Sequence, residues 1–130
     1  MKYETLLNEA YEKGLVVKEK PLQAHDGRIK GNRIAIRSSI ETSAKKYCVL
    51  AEELGHYEVN VGDILDQNDV NNRRQERAAR RRAYEKLLPV ENILFAAQDG
   101  HKEIWDMAEY LDVDEEFLRD ALMYYGILDM

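Results

Sequence analysis

Apolar positions near the start of the chain fall at Tyr3, Leu6, Leu7, Ala10 and Tyr11, an i, i+3, i+4, i+7, i+8 spacing, with Gly14 just beyond. One such stripe with a glycine stop predicts an amphipathic helix. Leu15-Val16-Val17 is a short, mostly β-branched run before the loop around Pro21, and it predicts a strand. In GRIKGNRIAIR the period drops toward two, with Ile-bearing arms at Gly27–Lys30 and Arg33–Arg37 around Gly31-Asn32. A Gly-Asn pair supplies the positive φ of a tight turn, so this segment predicts a β-hairpin.

From Thr42 onward the pattern is helical. Thr42 or Ser43 is placed to cap a helix running to about Tyr57, and Asn68 or Asp69 to cap a second that runs to Leu88 and stops at Pro89. Shorter helices are predicted at Val90–Gln98, Lys102–Leu111 and Glu115–Tyr125. No repeat, low-complexity tract or linker-like stretch interrupts them. A small antiparallel sheet or hairpin packed on a mostly helical body is an α+β architecture. We read residues 1–130 as one domain: an N-terminal helix and hairpin in 1–40, the two long helices in 41–89, and a helical bundle in 90–130.

Composition narrows the setting. Hydrophobic content of 45% with 34% charged residues is an ordinary balance for a soluble chain rather than a disordered one. No apolar run approaches the roughly 18 residues of a membrane span, so no membrane partner is expected. The start, MKYETLLNEAYEKG, is acidic and amphipathic, unlike a secretory signal. The single cysteine, Cys48, excludes an internal disulfide framework and fits a reducing cytoplasm. It falls on an apolar helix stripe, which points to a core residue rather than a nucleophile.

The net charge of −6 is unevenly spread: residues 102–130 hold nine acids against two bases. That excess argues against nucleic acid as the main partner, because phosphate binding needs clustered cations. Six arginines between Arg73 and Arg82 are the exception. They read as a basic stripe for an anionic partner or, preferably, as the solvated face of their helix. The segment IWDMAEYLDVDEEFLRDALMYYG has a helix–turn–helix outline. Glu115, Glu116 and Asp120 against a lone Arg119 on its second helix would repel phosphates, so we read a packing module.

The chemistry centres on LAEELGHYE, residues 50–58. Ala44, Tyr47, Cys48, Ala51 and Gly55 form one small, apolar stripe, with Glu52 and His56 on its flank at i, i+4 and Glu53 beside them. Motif H-E-x-x-H uses this geometry to present two metal ligands and a general base from one helix turn. Here Glu52 stands where the first histidine would be. An ordinary amphipathic helix carrying a Glu–Glu pair is the structural alternative.

Glu76 follows His56 by twenty residues. Its helical neighbours Ala79, Ala83 and Leu87 place it on a face expected to be buried, where a carboxylate is costly without compensation. Two partners offer it: Arg80 as an i, i+4 ion pair, or a metal ion shared with His56. The small residues on both helices would let them approach closely enough for the second. His25 and His101 lie in loop-like sequence, and nothing local brings either to the pair.

At these residues the chain resembles the ImmA/IrrE family of zinc metallopeptidases of phages and integrative mobile elements. The family's H-E-L-G-H is matched by E-E-L-G-H at Glu52–His56. Its downstream glutamate signature is matched from Glu76 through Ala79, Ala83, Leu87 and Leu88 to Pro89. The resemblance covers about residues 3–125 and includes the hairpin. It implies a zincin-like domain with Glu52, His56 and Glu76 as metal ligands, Glu53 as general base, and zinc, or a less selective ion such as manganese, as cofactor. It also implies a cytoplasmic endopeptidase whose protein partner is a helix-turn-helix repressor, with no direct contact to nucleic acid. With its first histidine replaced, the same scaffold could instead grip the repressor without cutting it.

Overall fold

The computed structural model describes residues 2–62 and 69–128. Helix α1 (Lys2–Glu12) leads into strand β1 (Val16–Lys20), followed by β2 (Gly27–Lys30) and β3 (Arg33–Arg37). Among the described residues five helices follow: α2 (Ser43–Gly62), α3 (Asp69–Leu87), α4 (Val90–Gln98), α5 (Ile104–Leu111) and α6 (Glu115–Tyr124). The architecture is α+β, as the hydrophobic pattern predicts.

The sheet differs from the purely antiparallel one expected. Its order is β1-β3-β2; β2 and β3 form the hairpin, but β1 runs parallel to β3. The reason lies in the connection after β1. Lys20 stands opposite Arg37 and Gly27 opposite Ile36, so the link between them must cross the end of β3. Ser38 donates to the Lys20 carbonyl and Arg37 to that of Asp26, both at 2.8 Å, which pins that crossing. In the hairpin turn only Gly31 has positive φ, at 60°. Asn32 does not, a pattern that matches a turn with glycine at its first central position.

Helix ends follow local chemistry. The Thr42 hydroxyl accepts from the Lys45 amide at 3.1 Å and so caps α2. This helix reaches Gly62, one turn beyond the expected end at Tyr57, because Val59 adds another buried apolar position. Of the two cap candidates for α3, Asn68 lies outside the described residues. Leu88 still bonds to the Tyr84 carbonyl at 2.7 Å before Pro89 opens α4. The turn between α5 and α6 places Asp112 at φ 58°, and Asp114 caps α6 by accepting from the Phe117 amide.

Helix α2 is the central element. Cys48, Leu50, Ala51 and Leu54 are all buried, meeting Ile34 and Ile36 of the sheet, Leu6 and Ala10 of α1, and Ala83 and Leu87 of α3 in one apolar cluster. The α5–α6 pair buries Met107, Ala108, Phe117, Leu118, Ala121 and Leu122 into the same cluster, so it packs as the sequence pattern predicts. The α3 arginines from Arg73 to Arg82 are all exposed. Two of them find acids: Arg82 lies 3.3 Å from Glu58 and Arg80 4.0 Å from Glu76.

Candidate active-site cleft

Gly55 sets the distance between the two long helices. A Cβ at this position would fall inside contact distance of the Ala79 carbonyl oxygen, with the Ala79 Cα at 3.1 Å. Only a residue without a side chain lets the backbones approach so closely. One residue further along α2, His56 faces α3, and its Nε2 lies 3.5 Å from Oε1 of Glu76. The two residues singled out in separate helices are therefore brought together.

A cleft of about 490 Å³ opens here between α2, α3, α6 and the start of β2. It is lined by Glu52, Glu53, His56 and Glu76, all four residues singled out from sequence. Three features of its lining are not evident from sequence. His25 and Asp26 are carried into it by the link that crosses β3, although nothing local had placed His25 near His56. Asp114, Glu116 and Asp120 come from the α6 end, and Arg80 and Lys45 bring cations into the same lining. The only signal for the first pair was their position just before the strand that ends in the cleft.

Glu76 departs from expectation. Its side chain is 54% exposed, not buried in the α3 face. Among the described side chains, Ala79, where Gly55 permits contact, is buried on that face, and Glu76 lies a turn earlier and opens onto the cleft. Arg80, one of its anticipated partners, lies 4.0 Å from its other oxygen, and His56, with which it would share an ion, lies on the first. An exposed pair at that separation holds little energy.

Glu53 is the deeply placed acid, 8% exposed. Its Oε2 packs where a Cβ on Gly27 would otherwise sit, 2.7 Å from that point. The missing side chain at Gly27 thus makes room for the carboxylate. Burial pushes Glu53 up to about 7, with the negative charges of Glu52 and Glu76 adding to the effect. Glu52 is also pushed up to about 7 by burial, against the pull of Arg80. Neither carboxylate has a hydrogen-bond or ion-pair partner among the described residues.

This donor chemistry suits a divalent cation. A buried carboxylate, Glu53, and a half-buried one, Glu52, both without partners and inside a ring of further acids, are relieved by a positive ion. The His56–Glu76 separation also matches two ligands of one tetrahedral zinc, which stand about 3.3 Å apart when each is about 2.0–2.1 Å from the ion. The fit is partial: among the described residues no three donors gather into one metal-binding group, so Glu52 does not join the pair as it stands.

The fold and cleft define a class: an α+β domain with a helix-borne Glu-Glu-x-x-His segment facing a glutamate of the next helix. The chain belongs to the IrrE N-terminal-like domain family, Peptidase_M78, whose sequence profile matches residues 10–123. That family is one of metallopeptidases and is typically zinc-dependent. A comparison with curated proteins found no match. None of the described helices is long and apolar enough to cross a membrane.

Proposed function

We propose that the protein is a metal-dependent endopeptidase acting on a protein substrate, with His56 and Glu76 holding the ion and Glu52 turning in as third donor. The observation that carries this reading is the 3.5 Å approach of His56 to Glu76 beside the buried, partnerless Glu53. An ion held there by His56 and Glu76 would supply a Lewis acid and lower the pKa of a bound water toward about 7. Glu53 would be the residue to accept the proton of that water at its carboxylate and return it to the leaving amine. In the metal-free cleft burial raises this carboxyl, and a bound cation would draw it back down toward the ionised form that a base requires.

The shape of the cleft supports a polypeptide substrate. Strand β2 is an edge of the sheet, and Gly27 at its start lines the cleft. An extended chain therefore has an unpaired backbone edge to lie against, the mode of strand addition. The substrate class implied by the family resemblance is a helix-turn-helix repressor of a phage or mobile element.

A second reading has its own observation. Glu52 in place of an imidazole, outside any three-donor group, favours a domain that binds the repressor without cutting it. One set of variants separates the two. Glu76→Gln is expected to weaken zinc binding by about tenfold or more in isothermal titration. Glu53→Gln is expected to keep zinc and abolish cleavage of a purified helix-turn-helix repressor that the wild type cuts. Cleavage unaffected by E53Q would remove the proposed base; zinc binding in the wild type with no cleavage would establish the binding module.

A further inference from the structure

The three strands carry six basic residues and one acid, Glu19. Strand alternation sorts them by face. Val17, Ile34 and Ile36 point into the core. Glu19 is on that same side at the sheet margin, held by Lys46 at 2.9 Å and by the Tyr3 hydroxyl at 3.3 Å. On the opposite face stand Lys18, Lys20, Arg28, Lys30 and Arg33, all exposed and all without an ion pair among the described residues. They surround a shallow groove of about 370 Å³ whose floor includes Val16 and Ala35. Val16 remains exposed there, so this face is open.

Such an arrangement is unfavourable in isolation. Lys30 stands directly opposite Arg33 across the hairpin, and like charges in register destabilise a sheet. The chain as a whole is acidic, yet none of the nine acids of residues 102–130 lies in these strands. A single-sign face of this kind is complementary to a polyanion.

Its chemistry also selects among polyanions. Protein interfaces are depleted of lysine and need aromatic or large apolar anchors, and this face has neither a ring nor a large apolar centre. Single-stranded nucleic acid is held by stacking on aromatics, which are likewise missing. Duplex RNA is recognised by its A-form shape across two successive minor grooves, about 16 base pairs, a span that strands of four and five residues do not cover. Phosphates along a DNA duplex ask only for well-spaced cations. We propose that the open face of the sheet binds the phosphate backbone of duplex DNA without reading its sequence. This inference does not depend on the peptidase reading.

The test is fluorescence anisotropy of the whole protein with a labelled DNA duplex of random sequence. We expect dissociation constants of order 10 µM near physiological salt, and a log–log salt slope of about −4.5 for five engaged cations. Replacing Lys18, Lys30 and Arg33 by Gln should flatten the slope by about 1 for each residue. Lys20→Gln with Arg28→Gln should act in the same direction from different strand positions. These side chains are exposed, so melting followed by circular dichroism should show both variants folded. Tighter binding of poly-glutamate than of duplex would overturn the proposal in favour of an acidic polypeptide. No duplex binding, or binding lost instead on replacing Arg74, Arg77 and Arg81 of α3, would overturn it as well.

Discussion

Glu52 decides how far the cleft can act as a peptidase. A carboxylate oxygen reaches zinc at about the same distance as an imidazole nitrogen, about 2.0–2.2 Å. The difference is charge: a second carboxylate beside Glu76 neutralises more of the ion, so its water stays less acidic. Glu52→His should therefore tighten zinc binding by about tenfold or more and raise cleavage with it. No backbone change is required, because the i, i+4 spacing to His56 is already present. Equal zinc affinity in the two proteins would mean that position 52 does not touch the ion.

The same residue, with Glu53, sets an unusual pH dependence in metal-free protein. Both carboxyls are raised by burial from the ordinary 4.5 to about 7. The folded chain then holds protons more tightly than the unfolded one between those values. By linkage, their contribution to stability is fully present below about pH 4.5, falls as pH rises toward 7, and is flat above. Urea unfolding in chelator at about pH 5 and about pH 8 should show Glu53→Gln losing less stability over that span than wild type, by about 1–3 kcal/mol. A variant that tracks the wild type would show Glu53 to be solvated in the folded state.

At the scale of elements, the contact between α2 and α3 is what turns two separate motifs into one cleft. Helix propensity alone would favour alanine over glycine at position 55 by about 1 kcal/mol. The Ala79 backbone leaves no space for the added methyl, and overpacking typically costs about 1–3 kcal/mol. We expect Gly55→Ala to be destabilised in urea and to bind zinc more weakly, because α3 must move away from His56. A G55A protein more stable than wild type would show that this approach has slack.

These elements also show what the sequence makes legible. The helices, the hairpin and the four cleft residues follow from period, caps and spacing, which are local properties. The parallel placement of β1 does not, since it depends on which side of β3 the chain crosses. His25 and Asp26 escape for the same reason: that crossing, not their neighbours, delivers them to the cleft. A uniform apolar face on α3 predicts Glu76 to be buried, and it is not. Close backbone packing instead falls where Gly55 meets Ala79, a turn beyond Glu76.

For the whole molecule, an ion shared by His56 of α2 and Glu76 of α3 would tie the two longest helices together and exist only in the folded chain. Binding to the native state alone stabilises it by about 2.7 kcal/mol at a hundredfold excess over the dissociation constant. For a chain of this size that corresponds to a rise in melting temperature of roughly 10 °C. Zinc should therefore raise the melting temperature of wild type, and chelator should reverse the rise. His56→Ala and Glu76→Gln should lose most of it, whereas Glu53→Gln, which removes a base and not a ligand, should keep it. The comparison holds for either reading of the function, since a binding module with a structural ion gains the same stability. A shift kept in both H56A and E76Q would move the ion to the acidic rim formed by Asp114, Glu116 and Asp120. Glu53 would then have no activated water within reach, and the peptidase reading would fail with the site.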